Sequence, residues 1–540
     1  MDLLCVEREY HPTAVGGLFM RSLQAGTRKL PFLFSRGARK GETKEPGASV
    51  VGRALIIHPL PWVGFPFTVS MMIERAFGLT TDLYELTMAA AYFDNGLHNT
   101  RAIFDLFIRR LPPERCYLIT AGLEQALDYL SSLSFSADQI DYLREHPSFK
   151  HVSREFFEYL RTFKFTGDVW AIPEGTAAFG MEPLLRVTAP IIEAQVVETF
   201  LLSTINHQTM IASKAARVVA SADGRDVIEF GTRRAHGTEA GLYGARAAYI
   251  GGCLGTSNVE AGHLFGIQTF GTLAHSFVML FEKEDDAFRA FLKVFPETAT
   301  VLVDTYDTIA AVKRLARDFA SSIPAIRLDS GDLCELSKQT RVILDEAGMT
   351  GTKIFVSGDL NEHRIADLLA RGARIDSFGV GTELATSYDA PALSAVYKLA
   401  GIEDSGRVTM KIKLSRDKAT YPGAKQVWRF TNEHGQYAED RIALADEDAP
   451  SSLGGNGSWR PLLERVMTNG LQTDARSHEE SSREDRDARR ANLDRARQRA
   501  VGEMKRLPDE LLGLKSTTRY QTTFSERLIA EREALERRLV

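Results

Sequence analysis

Four short stretches concentrate polar groups whose types and spacing could do chemistry: RLDSGDL (327–333), VSGDL (356–360), GVGTE (379–383) and EFGTRRAHG (229–237). In the first, Arg327 and the carboxylates of Asp329 and Asp332 share one loop. They offer an anion fork and two hard oxygen ligands, which suits a substrate that is anionic and bound to Mg²⁺. A plain Arg327–Asp329 ion pair fits the same residues. In VSGDL and GVGTE the glycines Gly358 and Gly381 let backbone amides approach a phosphate, with Ser357 or Thr382 adding a hydroxyl. Either glycine loop alone reads equally as an ordinary turn; two in succession favour a sugar-phosphate ligand. Arg233 and Arg234 follow a strand-type run and are either a solvated pair or a clamp for pyrophosphate.

His275 lies in FGTLAHSFVMLF (270–281), between a Gly-Thr step and large apolar side chains. It reads as a core histidine, or as the first turn of a helix after a strand ending at Gly271-Thr272. There, free amides favour negative charge, and a neutral imidazole can attack a phosphoryl group.

The elements that must position these groups are readable between residues 300 and 382. Apolar runs starting near 300, 324, 352 and 374 each end in a polar loop and all but the last pass into a helical pattern. That is a succession of βα units, hence a parallel sheet with chemistry at its carboxyl ends. Strand runs at 227–231 and 266–270 extend the series toward a barrel. Upstream, TDLYELTMAAAYFDNG (81–96) predicts a helix with Asp82 as N-cap and Glu85 completing a capping box. Residues 101–112 predict a strand, 167–190 short strands and turns, and 197–222 a long helix. ARAAYIGGCLGTSNVEAGHLFGI (245–267) predicts two helices around a glycine-rich break, which tight packing also explains. DARSHEESSREDRDARRANLDRARQRA, between 470 and 500, interleaves both signs of charge and predicts a solvated helix or a mobile insertion rather than a binding patch. The last residues form an amphipathic helix without chemical content.

Bulk properties narrow the class. The 540 residues suit two or three packed units, and a formal net charge of -5 argues against nucleic-acid or membrane-surface partners. Four cysteines without CxxC spacing exclude a disulfide framework and fit a reducing cytoplasm. The apolar stretch 54–73 contains Pro59, Pro61, Pro66 and His58, which oppose a membrane helix. Residues 11–41 are basic and acid-free, faintly like a transit peptide. A poorly ordered extension, or one that comes from an early start codon, explains residues 1–70 better.

In their order along the chain, TDLYELTM, LFIRRLP, IPEGTAAFGMEPLLR, EFGTRRAHG, ARAAYIGGCLGTSNVEAG, GTLAHSF, RLDSGDL, VSGDLNE, FGVGTEL, AVYKL and YPGAKQVWR resemble the nicotinate phosphoribosyltransferase family, from about residue 74 to 430. The resemblance implies an α/β protein with an irregular (β/α) barrel, a mixed α/β N-terminal domain and C-terminal helices. The expected organisation is an extension (1–70), the mixed domain (71–200), the barrel-like catalytic domain (201–400), a return to the mixed domain (401–470), the charged insertion (471–500) and terminal helices (501–540).

It further implies transfer of phosphoribosyl from 5-phosphoribosyl 1-pyrophosphate to nicotinate, giving nicotinate mononucleotide and pyrophosphate in NAD salvage, with ATP as co-substrate. On the family's pattern His275 is phosphorylated by ATP, and Tyr84, Thr272 and Arg327 hold nicotinate. Arg233, Ser357, Gly358, Asp359, Gly381 and Thr382 contact the donor, and Asp329 and Asp332 hold Mg²⁺ or face the sugar cation. Tyr84 is expected to approach the site across a homodimer interface. His236 stands where the family more often has Gln, and the extension and charged insertion have no counterpart. A nicotinamide-using relative and a non-catalytic binding protein are the competing readings.

Overall fold

The computed structural model describes residues 76–539 except 320–322, 405–406, 416–417, 452–455 and 474–482. The extension 1–70 and residues 474–482, in the first part of the charged insertion, therefore lie outside the described residues. A seven-stranded antiparallel sheet runs in the order Arg407–Met410, Ala395–Asp404, Arg101–Ile108, Pro183–Pro190, Asp168–Ala171, Glu464–Thr468, Leu471–Gln472. Its interior strand RAIFDLFI is buried along nearly its whole length, as expected of a largely apolar run. The buried charge within it, Asp105, meets the buried Lys425 at 2.7 Å. Residues from both ends of the chain thus build this sheet.

A second sheet carries the chemistry. Six parallel strands lie in the order Gly255–Thr256, Asp226–Glu229, Ser377–Val380, Lys353–Val356, Ala325–Leu328, Thr300–Leu302. Helices Thr308–Asp318, Leu333–Glu346 and Glu362–Ala370 return the chain between the last-named strands, as the alternating pattern predicts. The protein is therefore a mixed α/β fold with a parallel sheet and crossover helices, and its strand ladder does not close. A four-stranded sheet of Ser458–Pro461, Lys425–Thr431, Tyr437–Leu444 and Thr522–Phe524 completes the C-terminal part.

The strand expected over 266–270 is reduced to one parallel bridge, Thr269 with Thr256. Gly266 closes the helix Val259–Phe265 in the left-handed conformation, at φ 66°, so the extended run starts late. This irregular segment still spans the gap in the sheet. Phe270 N–H donates to Thr256 O at 2.9 Å on one side, and Leu273 N–H to Thr300 O at 3.1 Å on the other.

The helices at 81–96 and 197–222 are present as Leu83–Asp94 and Glu198–Ser221. The expected capping box is not made: Asp82 accepts from Thr199 Oγ1 at 2.7 Å, and Glu85 turns inward to accept from the same hydroxyl. The charged segment ends in a helix, Arg483–Met504, which is more than a solvated rod. Leu493, Ala496 and Ala500 are buried along one stripe, and Arg497 donates to Gly252 O at 3.0 Å. No helix among the described residues is long and apolar enough to cross a membrane.

Candidate active site

Arg327 leaves the strand Ala325–Leu328 at its carboxyl end and gathers three neighbouring loops. Its Nε donates to Ser357 Oγ at 2.8 Å, one Nη to Thr272 Oγ1 at 2.7 Å and the other to Asp329 Oδ1 at 2.7 Å. A guanidinium has five N–H donors. The two left over take no acceptor among the described residues, so the fork stays open to an incoming anion. The ring of Phe230 lies 6.0 Å from the guanidinium carbon and gives this opening an apolar wall.

Asp329 also accepts from the Ser357 hydroxyl. Burial pushes its carboxyl up, but the Ser357 hydrogen bond, the Arg327 guanidinium and the charge of His275 outweigh burial and hold it below the usual carboxylate value. Asp329 is thus an anion at any physiological pH, and His275 lies within its electrostatic reach. His275 opens the short helix His275–Met279, as the sequence predicts, and its Nδ1 sits 3.2 Å from Thr305 Oγ1. Thr305 follows the strand Thr300–Leu302, so one more strand end joins the cluster.

The glycine loops flank this group. Gly358 has φ +98°, and a Cβ there would come within 2.1 Å of the Asp329 carbonyl oxygen. Asp359 follows at φ 45°, with Arg364 bracing the carbonyls of Gly358 and Asp359 at 3.1 and 3.3 Å. Gly381 precedes the helix Thr382–Ala385. The amides of Gly358, Asp359, Gly381 and Thr382 have no acceptor among the described residues. Gly231 packs against the second loop, where a Cβ would meet Ala385 Cβ at 2.3 Å and Gly381 O at 2.8 Å. The exposed turn Thr232–Arg234 therefore brings Arg233 and Arg234 beside these amides, and neither arginine has an ion pair among the described residues.

Two expected site residues stand apart from the Arg327 cluster. Asp332 caps the helix Leu333–Glu346, accepting from the amides of Cys334 and Glu335, and meets Arg371 at 3.3 Å. Tyr84 is 46% exposed, with its hydroxyl beside Glu198 and Glu85. Burial and those two carboxylates push that phenol well above its ordinary value.

The residues that sequence reasoning passed over are Phe230, Asp304, Thr305 and Glu229. Glu229 is buried and ties two strand ends by accepting from Gly231 N–H and Thr256 Oγ1. Asp304 Oδ2 accepts from Asp329 N–H at 3.3 Å and from Ser330 Oγ, while its Oδ1 is buried without a partner. That orphan oxygen, on a side chain bonded to the Asp329 backbone, suits Mg²⁺, which takes one or two carboxylates and fills its shell with water and substrate phosphates. Among the described residues no three His, Cys, Asp or Glu side chains form a metal-holding group. An ion here would therefore depend on the substrate's phosphates.

An open guanidinium, carboxylates, unpartnered amides and one imidazole at the ends of parallel strands define an α/β enzyme site for a phosphorylated anion. The family model described as the nicotinate phosphoribosyltransferase N-terminal domain matches residues 79–206, and the model of the nicotinate phosphoribosyltransferase family matches 226–417. A nicotinate phosphoribosyltransferase of Mycobacterium tuberculosis is 46% identical over 470 residues, covering 85% of this chain and 94% of its own. One from Bacillus subtilis is 46% identical over 383 residues, covering 69% and 77%. The crystal structure of human nicotinic acid phosphoribosyltransferase superposes with a TM-score of 0.72 at 27% identity, over 84% of this chain and 99% of that one. The chain is an enzyme of the nicotinate phosphoribosyltransferase family.

Proposed function

We propose that the enzyme joins nicotinate to the phosphoribosyl group of 5-phosphoribosyl 1-pyrophosphate, releasing pyrophosphate and forming nicotinate mononucleotide for NAD salvage. The observation that carries this reading is the open fork of Arg327 beside Phe230. A planar aromatic carboxylate matches that pair: the carboxylate takes the two unused N–H donors, and the ring lies along the phenyl wall. The pyridine nitrogen then faces the anomeric carbon of a donor whose phosphates rest on the amides of Gly358, Asp359, Gly381 and Thr382.

As the bond from the anomeric carbon to the leaving oxygen breaks, positive charge builds on the sugar and negative charge on pyrophosphate. Arg233 stabilises the leaving group, and the fixed charge of Asp329 stabilises the sugar cation or, with Asp304, holds Mg²⁺. Bound Mg²⁺ would neutralise phosphate oxygens of the donor. Asp332 keeps its capping bonds throughout.

ATP coupling runs through His275. With Nδ1 held at Thr305, Nε2 is the nitrogen left to accept the γ-phosphoryl group as ADP departs, and water later releases phosphate. Tyr84 completes a second copy's site in a homodimer; its half-exposed ring, outside the Arg327 cluster of its own chain, supports that placement. The bridging segment that hydrogen-bonds to both outer parallel strands supports the irregular barrel. The return of Ala395–Asp404 and Glu464–Thr468 to the first sheet supports the proposed domain organisation. The scattered cysteines, without CxxC spacing, support a cytoplasmic setting.

The test follows mononucleotide formation with nicotinate, nicotinamide or quinolinate, with and without ATP. Nicotinate is the expected base, and preference for either other base overturns the reading. His275→Ala is expected to abolish ATP stimulation while slow ATP-independent transfer persists. Equal stimulation of variant and parent would remove His275 from the coupling.

A further inference from the structure

Past the two glycine loops lies a charge cluster, buried except at Asp389, that the reaction does not use. Lys214, in the middle of the helix Glu198–Ser221, has a side chain only 1% exposed. Its ammonium sits 2.6 Å from Glu362 Oε2 and 2.8 Å from Asp389 Oδ1. Glu362 is itself fully buried and begins the helix that follows the Ser357–Asp359 loop. Asp389 follows the helix Thr382–Ala385, past Ser387, whose φ of 43° bends the chain inward. Glu362 thus stands directly past the first loop and Asp389 past the short helix that the second loop opens, and a single ammonium holds both.

Two guanidiniums complete the arrangement. Arg115 reaches Asp389 at 2.9 Å and Ser387 Oγ at 3.1 Å. Arg217 reaches Glu362 at 3.1 Å and donates to the carbonyls of Glu114 and Leu514 at 2.8 and 3.0 Å. Burial acts against the charge of Asp389, but Arg115 and Lys214 overcome it and hold the carboxyl down at about 2. Three cations thus face two carboxylates, leaving one positive charge in excess behind the amides. A buried ionic cluster is a poor device for stability alone, because desolvating its members cancels much of their attraction. What it supplies is a fixed geometry, and here the groups it fixes are the two loops bearing unpartnered amides.

We propose that Lys214 is a positioning residue whose ammonium, clamped between Glu362 and Asp389, sets the spacing of the two loops that receive the donor's phosphates. This rests on the reading of those loops as the donor site.

The test is steady-state kinetics with nicotinate and phosphoribosyl pyrophosphate on Lys214→Met, which keeps the stem and removes the charge. KM for the donor is expected to rise about ten-fold or more, with KM for nicotinate within about two-fold. Lys214→Arg restores a cation between the two carboxylates, each of which keeps its own arginine partner in Lys214→Met. It is expected to bring donor KM back toward the parent, which a role in packing alone would not produce. An unchanged donor KM in folded Lys214→Met overturns the proposal, as does a folded Lys214→Arg whose donor KM stays as high as that of Lys214→Met. Thr382→Ala, in the second loop and outside the Arg327 cluster, separates the two levels. If it leaves donor KM unchanged, the donor-site reading itself fails. If it raises donor KM while Lys214→Met does not, only the positioning role fails.

Discussion

Arg327 and Arg429 are both arginines set against an aspartate at hydrogen-bonding distance, in two different sheets. Arg429 and Asp440 have fully buried side chains, with Nη2 to Oδ2 at 2.6 Å; Glu503 takes a further donor at 3.0 Å, and the Tyr437 ring lies 4.7 Å away. Arg327 and Asp329 keep 13% and 28% of their side-chain surface, and two donors of the guanidinium stay free. Closed on every side, the first pair can only hold the fold together. The second is supported from below by Thr272 and Ser357 and left open above. Residue type, ion pairing and the number of bonded donors are alike in the two regions, so access from outside to the donors left over is what separates site from scaffold.

The largest expected effect breaks the closed pair. Arg429→Leu should lower unfolding free energy by about 3–5 kcal/mol, because it strands the buried Asp440 carboxylate. Arg327→Leu, measured by the same urea titration, should change stability by about 1 kcal/mol or less. Equal losses in the two variants would erase the distinction.

A smaller effect sharpens it within one loop. Asp332→Ala removes a helix cap and should cost about 1 kcal/mol while kcat stays within a few-fold of the parent. Loss of turnover comparable to that of Asp329→Ala would return Asp332 to the reacting centre.

The smallest concerns Glu85, beneath Tyr84. Burial pushes its carboxyl up to about 8, against the relief given by Thr199, and the neighbouring charge of Glu198 pushes the same way. A carboxyl raised on folding binds its proton more tightly in the native state. The stability it contributes is complete below the unfolded value near 4.5 and is lost as pH rises through about 8. Glu85→Gln should therefore flatten the fall in melting temperature between pH 5 and pH 8, by a few degrees. A variant whose curve parallels the parent's would contradict the assignment.

These contrasts also show what a sequence can carry. Arg327, Asp329 and Ser357 were legible because an apolar run ending in a polar loop places the loop at a strand's carboxyl end. Asp332 shares that loop, but it also stands three residues before Glu335 at a helix start, which is the pattern of a cap. The polar loop that ends the run near 300, VDTYDT (303–308), does not reveal that Asp304 and Thr305 turn toward Asp329 and His275. That depends on the pairing of neighbouring strands. Lys214 was invisible, since a lysine within a helical pattern reads as solvated and only the fold buries it between two distant carboxylates. The helix Arg483–Met504 held its signal in Leu493, Ala496 and Ala500, spaced along one face but outnumbered by charges. The run at 266–270 had strand composition, yet a left-handed Gly266 left room for a single bridge.

The central claim is that the open fork of Arg327 selects the carboxylate of the base. It is tested most directly by comparing kcat/KM for nicotinate and nicotinamide in the parent and in Arg327→Leu. The parent should prefer nicotinate by about 10²-fold or more, and the folded variant should lose most of that preference, chiefly through nicotinate. A variant that keeps the parent's discrimination would contradict the account.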